Sequence, residues 1–238
     1  MKKKVLKYIY IAVALSFSLF YLAKFGEPAI LKAYVETGIG SCRTMPILCL
    51  APEKEIVNPQ IDKEYLSQLV PSAFAGIKIS IPKGFTVIRG ELTRVYYKKR
   101  KYEAKSPVIY LLCQEPGFFI NLFPQLKKQG VENNYDFVTR TMYAKLREIN
   151  NITDTFFAIM KTIFTPNLGD QANLKIVKFQ SPDKKGFITY NLTPLGNYFD
   201  CDVINSDDAF LKVYIKDKGV SLDLDKVFGI ISTLNTAK

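Results

Sequence analysis

The sequence predicts an α+β fold: a predominantly antiparallel sheet covered by helices and preceded by a single N-terminal transmembrane helix. Three observations predict it. From Gly76 onward, short runs alternate apolar and polar residues with period two, the pattern of strands in an antiparallel sheet with one buried face. Segments at 133–149, 153–166 and 221–234 instead repeat apolar residues every three or four positions, as helices covering a sheet do. Ahead of all of them, a lysine cluster leads into an uncharged run from Tyr8 to Ala23.

Composition agrees with a folded chain. The 238 residues are 48% hydrophobic and 23% charged, enough for one sizeable domain and an extra segment. The net charge is +11, and Lys2, Lys3, Lys4, Lys7 and Lys24 contribute five of those charges within a stretch that has no acid. The remaining +6 still favours anionic surroundings. There is no histidine, which excludes Ser/His/Asp and Cys/His nucleophilic sites, His-ligated haem and Cys/His zinc sites. Neither a GxxxxGK[ST] loop nor a GxGxxG motif is present, so no cofactor is expected.

Residues 1–24 read as a cytoplasmic basic tip and a membrane anchor. The uncharged run is sixteen residues long, or nineteen from Val5 if Lys7 snorkels to the head groups. A bilayer core needs roughly 17–25 helical residues, and the leading lysines hold the N-terminus in the cytoplasm. A cleaved signal peptide is the competing reading, but it needs small residues at the cleavage site, and Tyr21 stands two before Ala23. Either way the expected location of the main domain is periplasmic or extracellular.

Residues 25–75 read as a membrane-proximal connector, because Pro28, Pro46, Pro52, Pro59 and Pro71 interrupt any long helix. PAILKAYVE and IDKEYLSQLV are short helices within it. Residues 76–238 form the extracytoplasmic α/β domain. GIKISIP places Ile77, Ile79 and Ile81 on one face; PKG turns the chain into FTVIRG and LTRVYYKK, and PVIYLLC is a more apolar strand. The helix at 133–149 buries Val138, Met142, Leu146 and Ile149 behind an Asn134 cap. The helix at 153–166 is capped by Thr153 or Asp154 and buries Phe156, Met160 and Ile163. NLKIVKFQ and GFITYNL flank a hairpin at SPDKK. In YFDCDVI, Phe199, Cys201 and Val203 face the core while Asp200 and Asp202 face water, and AFLKVYIK alternates Leu211, Val213 and Ile215 against Lys212, Tyr214 and Lys216. The final helix lines up Leu224, Val227, Ile231 and Leu234.

The opening ISIPKGFTVI and the closing AFLKVYIKDKGVSLDLDKVFGIISTL resemble the first and last elements of the PsbP/Mog1-like α/β sandwich. The resemblance covers element order over residues 76–238. It implies a non-catalytic accessory or assembly domain beside a membrane complex.

Two groups of residues are candidates for a site. Cys42, Cys49, Cys113 and Cys201 are disulfide candidates, since an even cysteine count outside the cytoplasm favours bridges. The preferred pairing is Cys42 with Cys49 and Cys113 with Cys201; free core thiols are the alternative for the second pair, and a lipid on Cys42, a redox pair or an all-cysteine zinc site are the alternatives for the first. Lys98, Lys99, Arg100 and Lys101, interleaved with Tyr97 and Tyr102, are candidates for binding an anionic lipid or polymer from a basic hairpin tip. The compartment disfavours nucleic acid. The expected function is therefore a membrane-anchored binding or assembly domain with an envelope protein partner and no catalytic residues. A histidine-independent envelope enzyme and an anionic-surface binder are the alternatives.

Overall fold

The computed structural model describes residues 26–74, 76–89, 107–165, 173–219 and 221–236. Its helices are α1 (Glu27–Gly38), α2 (Lys63–Ser67), α3 (Phe118–Leu122), α4 (Asn134–Tyr143), α5 (Ile152–Phe164) and α6 (Leu224–Ser232). The strands are β1 (Lys54–Val57), β2 (Val70–Phe74), β3 (Ile77–Ile81), β4 (Thr86–Arg89), β5 (Val108–Gln114), β6 (Lys175–Gln180), β7 (Lys184–Thr193), β8 (Gly196–Asn205), β9 (Phe210–Asp217) and β10 (Asn235–Thr236).

Seven strands form one sheet in the order β1-β6-β7-β8-β9-β5-β4. The five central strands are antiparallel to one another, whereas β1 joins β6 and β4 joins β5 in parallel at the two edges. A second, antiparallel sheet has the order β10-β3-β2. The protein is thus α+β with a mostly antiparallel, mixed main sheet and helices packed on it.

Strand alternation divides the main sheet into two faces. On one, Ile188, Phe199, Cys201, Val203, Leu211 and Val213 pack against α6 and against Ile77, Ile79 and Ile81 of the small sheet. The Asp223 side chain accepts a hydrogen bond from Lys226 N at 2.9 Å and caps α6, so the helix starts where its apolar stripe meets the sheet. On the other face, Ile176, Phe187, Ile204 and Phe210 meet the phenyl groups of α3, α4 and α5. Phe119 and Phe137 stack there with centroids 4.3 Å apart, and Phe164 lies against both.

Several expectations change. Residues 25–75 do not stand apart from the domain: β1 pairs with β6, β2 pairs with β3, and Val35 of α1 and Leu48 are buried against Leu146, Ile149 and Ala158. The central strands have no wet face, because helices close the second side and Asp200 and Asp202 lie beneath them. The caps of α4 and α5 are Asn133 and Asn151, each one residue or more ahead of the expected position. Helix α5 is also rotated. Phe157, Ala158, Lys161 and Phe164 face inward, and Ile163 is exposed. Adjacent Phe156 and Phe157 give this helix two competing apolar stripes about 100° apart, and packing selects the one that takes Lys161 inside. Among the described residues no helix is long and apolar enough to cross a membrane, and the anchor expected in residues 1–24 lies outside them.

Candidate functional site

The inward polar groups gather in adjacent cross-strand rows on the face covered by α5. One row runs Phe187, Asp202, Lys212, Leu112 across β7, β8, β9 and β5. The next runs Thr189, Asp200, Tyr214, Tyr110. Asp200 and Asp202 share a face because they are two residues apart on β8, and the tight β8–β9 turn places Lys212 directly opposite Asp202.

Lys212 Nζ lies 2.7 Å from Asp202 Oδ1 and 2.9 Å from Asp200 Oδ1. It also donates to the Phe164 carbonyl at 2.7 Å. Phe164 is the last residue of α5, so the ammonium meets the negative end of that helix. Asp200 and Asp202 are only 1% and 0% exposed. Burial raises both carboxyl pKa values, and the Lys212 charge opposes the rise at each. Burial works against the Lys212 ammonium, but the two carboxylates outweigh it and raise its pKa. Two carboxylates with one ammonium would leave a buried net negative charge; a proton retained on the carboxyl pair makes the cluster neutral. Beside it, burial and then Asp200 push the Tyr214 phenol up, and the Tyr214 and Tyr110 rings lie 5.7 Å apart. The arrangement can hold a proton and fasten α5 to the sheet.

A second buried lysine sits one turn earlier. Lys161, 0% exposed, donates to the Leu50 carbonyl at 2.6 Å and to the Ala144 carbonyl at 2.8 Å. Burial, then the Lys145 charge, lower its pKa to about 7, with Glu148 opposing. A near-neutral amine has nucleophilic potential. Here both contacts are carbonyls and the group is enclosed, so it clamps α5 to the chain just past Cys49 and to the end of α4.

The cysteines separate into two cases. Cys42 and Cys49 form a disulfide with Cα atoms 5.6 Å apart, and it closes the loop that buries Ile47 and Leu48. Cys113 and Cys201 are free thiols, contrary to the expected bridge. Both face the apolar layer, but β9 lies between their strands and pairs Cys113 with Leu211 and Cys201 with Val213, which puts them about 12 Å apart, beyond the roughly 7 Å Cα limit for bridging. Burial raises both thiol pKa values, most strongly that of Cys201. Lys98, Lys99, Arg100, Lys101, Tyr97 and Tyr102 lie outside the described residues.

Asp200, Asp202, Lys212 and Lys161 were absent from the sequence-based candidates. A signal for three of them existed: folding YFDCDVI onto AFLKVYIK through the NSDD turn brings an acid opposite Lys212. Nothing comparable marked Lys161. Comparison of the chain with protein-family models, with curated proteins and with solved structures finds no match.

Proposed function

We propose that this chain is a membrane-anchored extracytoplasmic domain that binds an envelope partner or supports its assembly and carries out no catalysis. The Cys42–Cys49 bridge carries the reading, because disulfides persist in oxidising compartments. It lies nineteen residues beyond Ala23, on the side of the apolar run to which the leading lysines would direct the chain. The resemblance of element order to the PsbP/Mog1-like sandwich supports an accessory role, and Lys98–Lys101 with Tyr97 and Tyr102 would add affinity for an anionic lipid or polymer. Crosslinking at native abundance, followed by affinity capture, tests it: a co-captured envelope protein is expected, and recovery of this chain alone opposes the proposal.

The Asp200/Asp202 pair favours a second reading, an enzyme using carboxylates, since adjacent acids with raised pKa values recur at catalytic sites. Lys212 occupies both acids, and α5 covers them. A hydrolytic activity abolished by Asp200→Asn in a variant that remains folded would establish this reading.

A further inference from the structure

Among the described residues, helix α1 presents an exposed ridge next to the start of the described chain. Val35 is fully buried and Leu31 is half-buried against the domain, while Ile30 and Tyr34, each one residue earlier and so about 100° round the helix, are 70% and 64% exposed. Ala33 and Thr37 are also exposed and continue that ridge, and Glu27 flanks its N-terminal end. Gly26, which begins the described chain, is only three residues beyond Ala23, the end of the apolar run, a link that spans at most about 10 Å. If that run crosses the bilayer, α1 starts within this distance of the head groups. The whole helix is about 18 Å long, so Ile30 and Tyr34 lie roughly 5 and 11 Å from its start. Tyrosine beside an aliphatic residue suits the membrane–water boundary, where the ring is buried and the hydroxyl is wet.

We propose that the Ile30/Tyr34 ridge of α1 rests on the outer surface of the lipid bilayer and sets the orientation of the domain over it. The inference rests on the anchored reading above. Glu27, Lys32 and Glu36 leave α1 with a net charge of −1, so the contact is one of apolar insertion and not of attraction to anionic lipid.

The chain contains no tryptophan, so a single introduced indole reports without background. Full-length Ile30→Trp, Tyr34→Trp and Leu195→Trp variants would be reconstituted in phosphatidylcholine/phosphatidylglycerol vesicles, with and without lipids brominated near the head-group end of the acyl chain. Leu195, 87% exposed in the β7–β8 turn, is the control. An indole seated about 5–10 Å into the interface should lose roughly half its emission to the brominated lipid at positions 30 and 34, with a blue shift, while position 195 is unchanged. Variants that float with the vesicles but show solvent-like, unquenched emission at 30 and 34 overturn the inference and leave anchoring intact. A blue shift that grows with protein density but is not quenched also overturns it, assigning the ridge to a second copy of the chain. Failure of the full chain to float with vesicles overturns the anchored reading, and this inference with it.

Discussion

Lys161 and Lys212 are both enclosed near the C-terminal end of α5, yet Lys212 meets two carboxylates and Lys161 meets only carbonyl oxygens. Burial alone would strip the charge from either amine. For Lys212, Asp200 and Asp202 reverse that tendency and keep it cationic; for Lys161 nothing comparable does, and its pKa falls to about 7. Partner chemistry decides the charge of a buried lysine, and with it how a mutation or a pH change acts.

The largest effect should come from removing the cation between two acids. Lys212→Met leaves the carboxyls buried without their ammonium and should cost about 3–5 kcal/mol of stability, read from the denaturant midpoint. Adding Asp200→Asn and Asp202→Leu to that variant should recover most of the loss, since a buried ionic cluster is often replaceable by apolar groups. A loss from Lys212→Met no larger than that of a surface lysine would show that water reaches the cluster.

Next comes the strap that holds one of the Lys161 acceptors. Replacing Cys42 and Cys49 together by serine should lower stability by about 2.5 kcal/mol on the chain-entropy argument. It should also raise the Lys161 pKa if Leu50 loosens and admits water, which lysine NMR titration would detect. Lys161→Met itself strands the Leu50 and Ala144 carbonyls and should cost about 1–3 kcal/mol, less than the Lys212 change.

The most discriminating test is the sign of the pH dependence. The folded pKa of Lys161 lies below its unfolded value, so its contribution is present above about pH 10.4 and is lost as pH falls toward 7, at about 1.4 kcal/mol per pH unit. The deficit of Lys161→Met relative to the parent should therefore grow from pH 7 to 10. For Asp200, whose folded pKa is raised, the contribution is full below the ordinary carboxylate pKa of about 3.9 and is lost as pH rises above it. The stability advantage of the parent over Asp200→Asn should be greatest in acid and shrink with rising pH. Parallel pH profiles for the two variants would break the contrast between the lysines.

Much of the fold was readable because alternation reports directly on strands that bury one face. Ile77, Ile79 and Ile81, the hairpin at SPDKK, and the stripe Val227, Ile231 and Leu234 all take their expected places. The candidate site was not readable in the same way. Asp200, Asp202 and Lys212 have the alternation of a solvated strand face, and a sequence pattern does not distinguish water from a helix that brings compensating charge partners. Lys161 stayed hidden for a related reason: the Phe156 stripe is as apolar as the one that packing selected.

By itself, the sequence determined the α+β class, the positions of most strands and helices, and the proximity of Cys42 and Cys49, since each depends on residues close together along the chain. Tertiary structure alone decided that residues 25–75 supply strands to both sheets, that β9 separates Cys113 from Cys201, and that Lys212 lies between two acids under α5. Those outcomes depend on strand order and on which face a helix covers. Both are settled by contacts between segments far apart in the chain, where local periodicity carries no information.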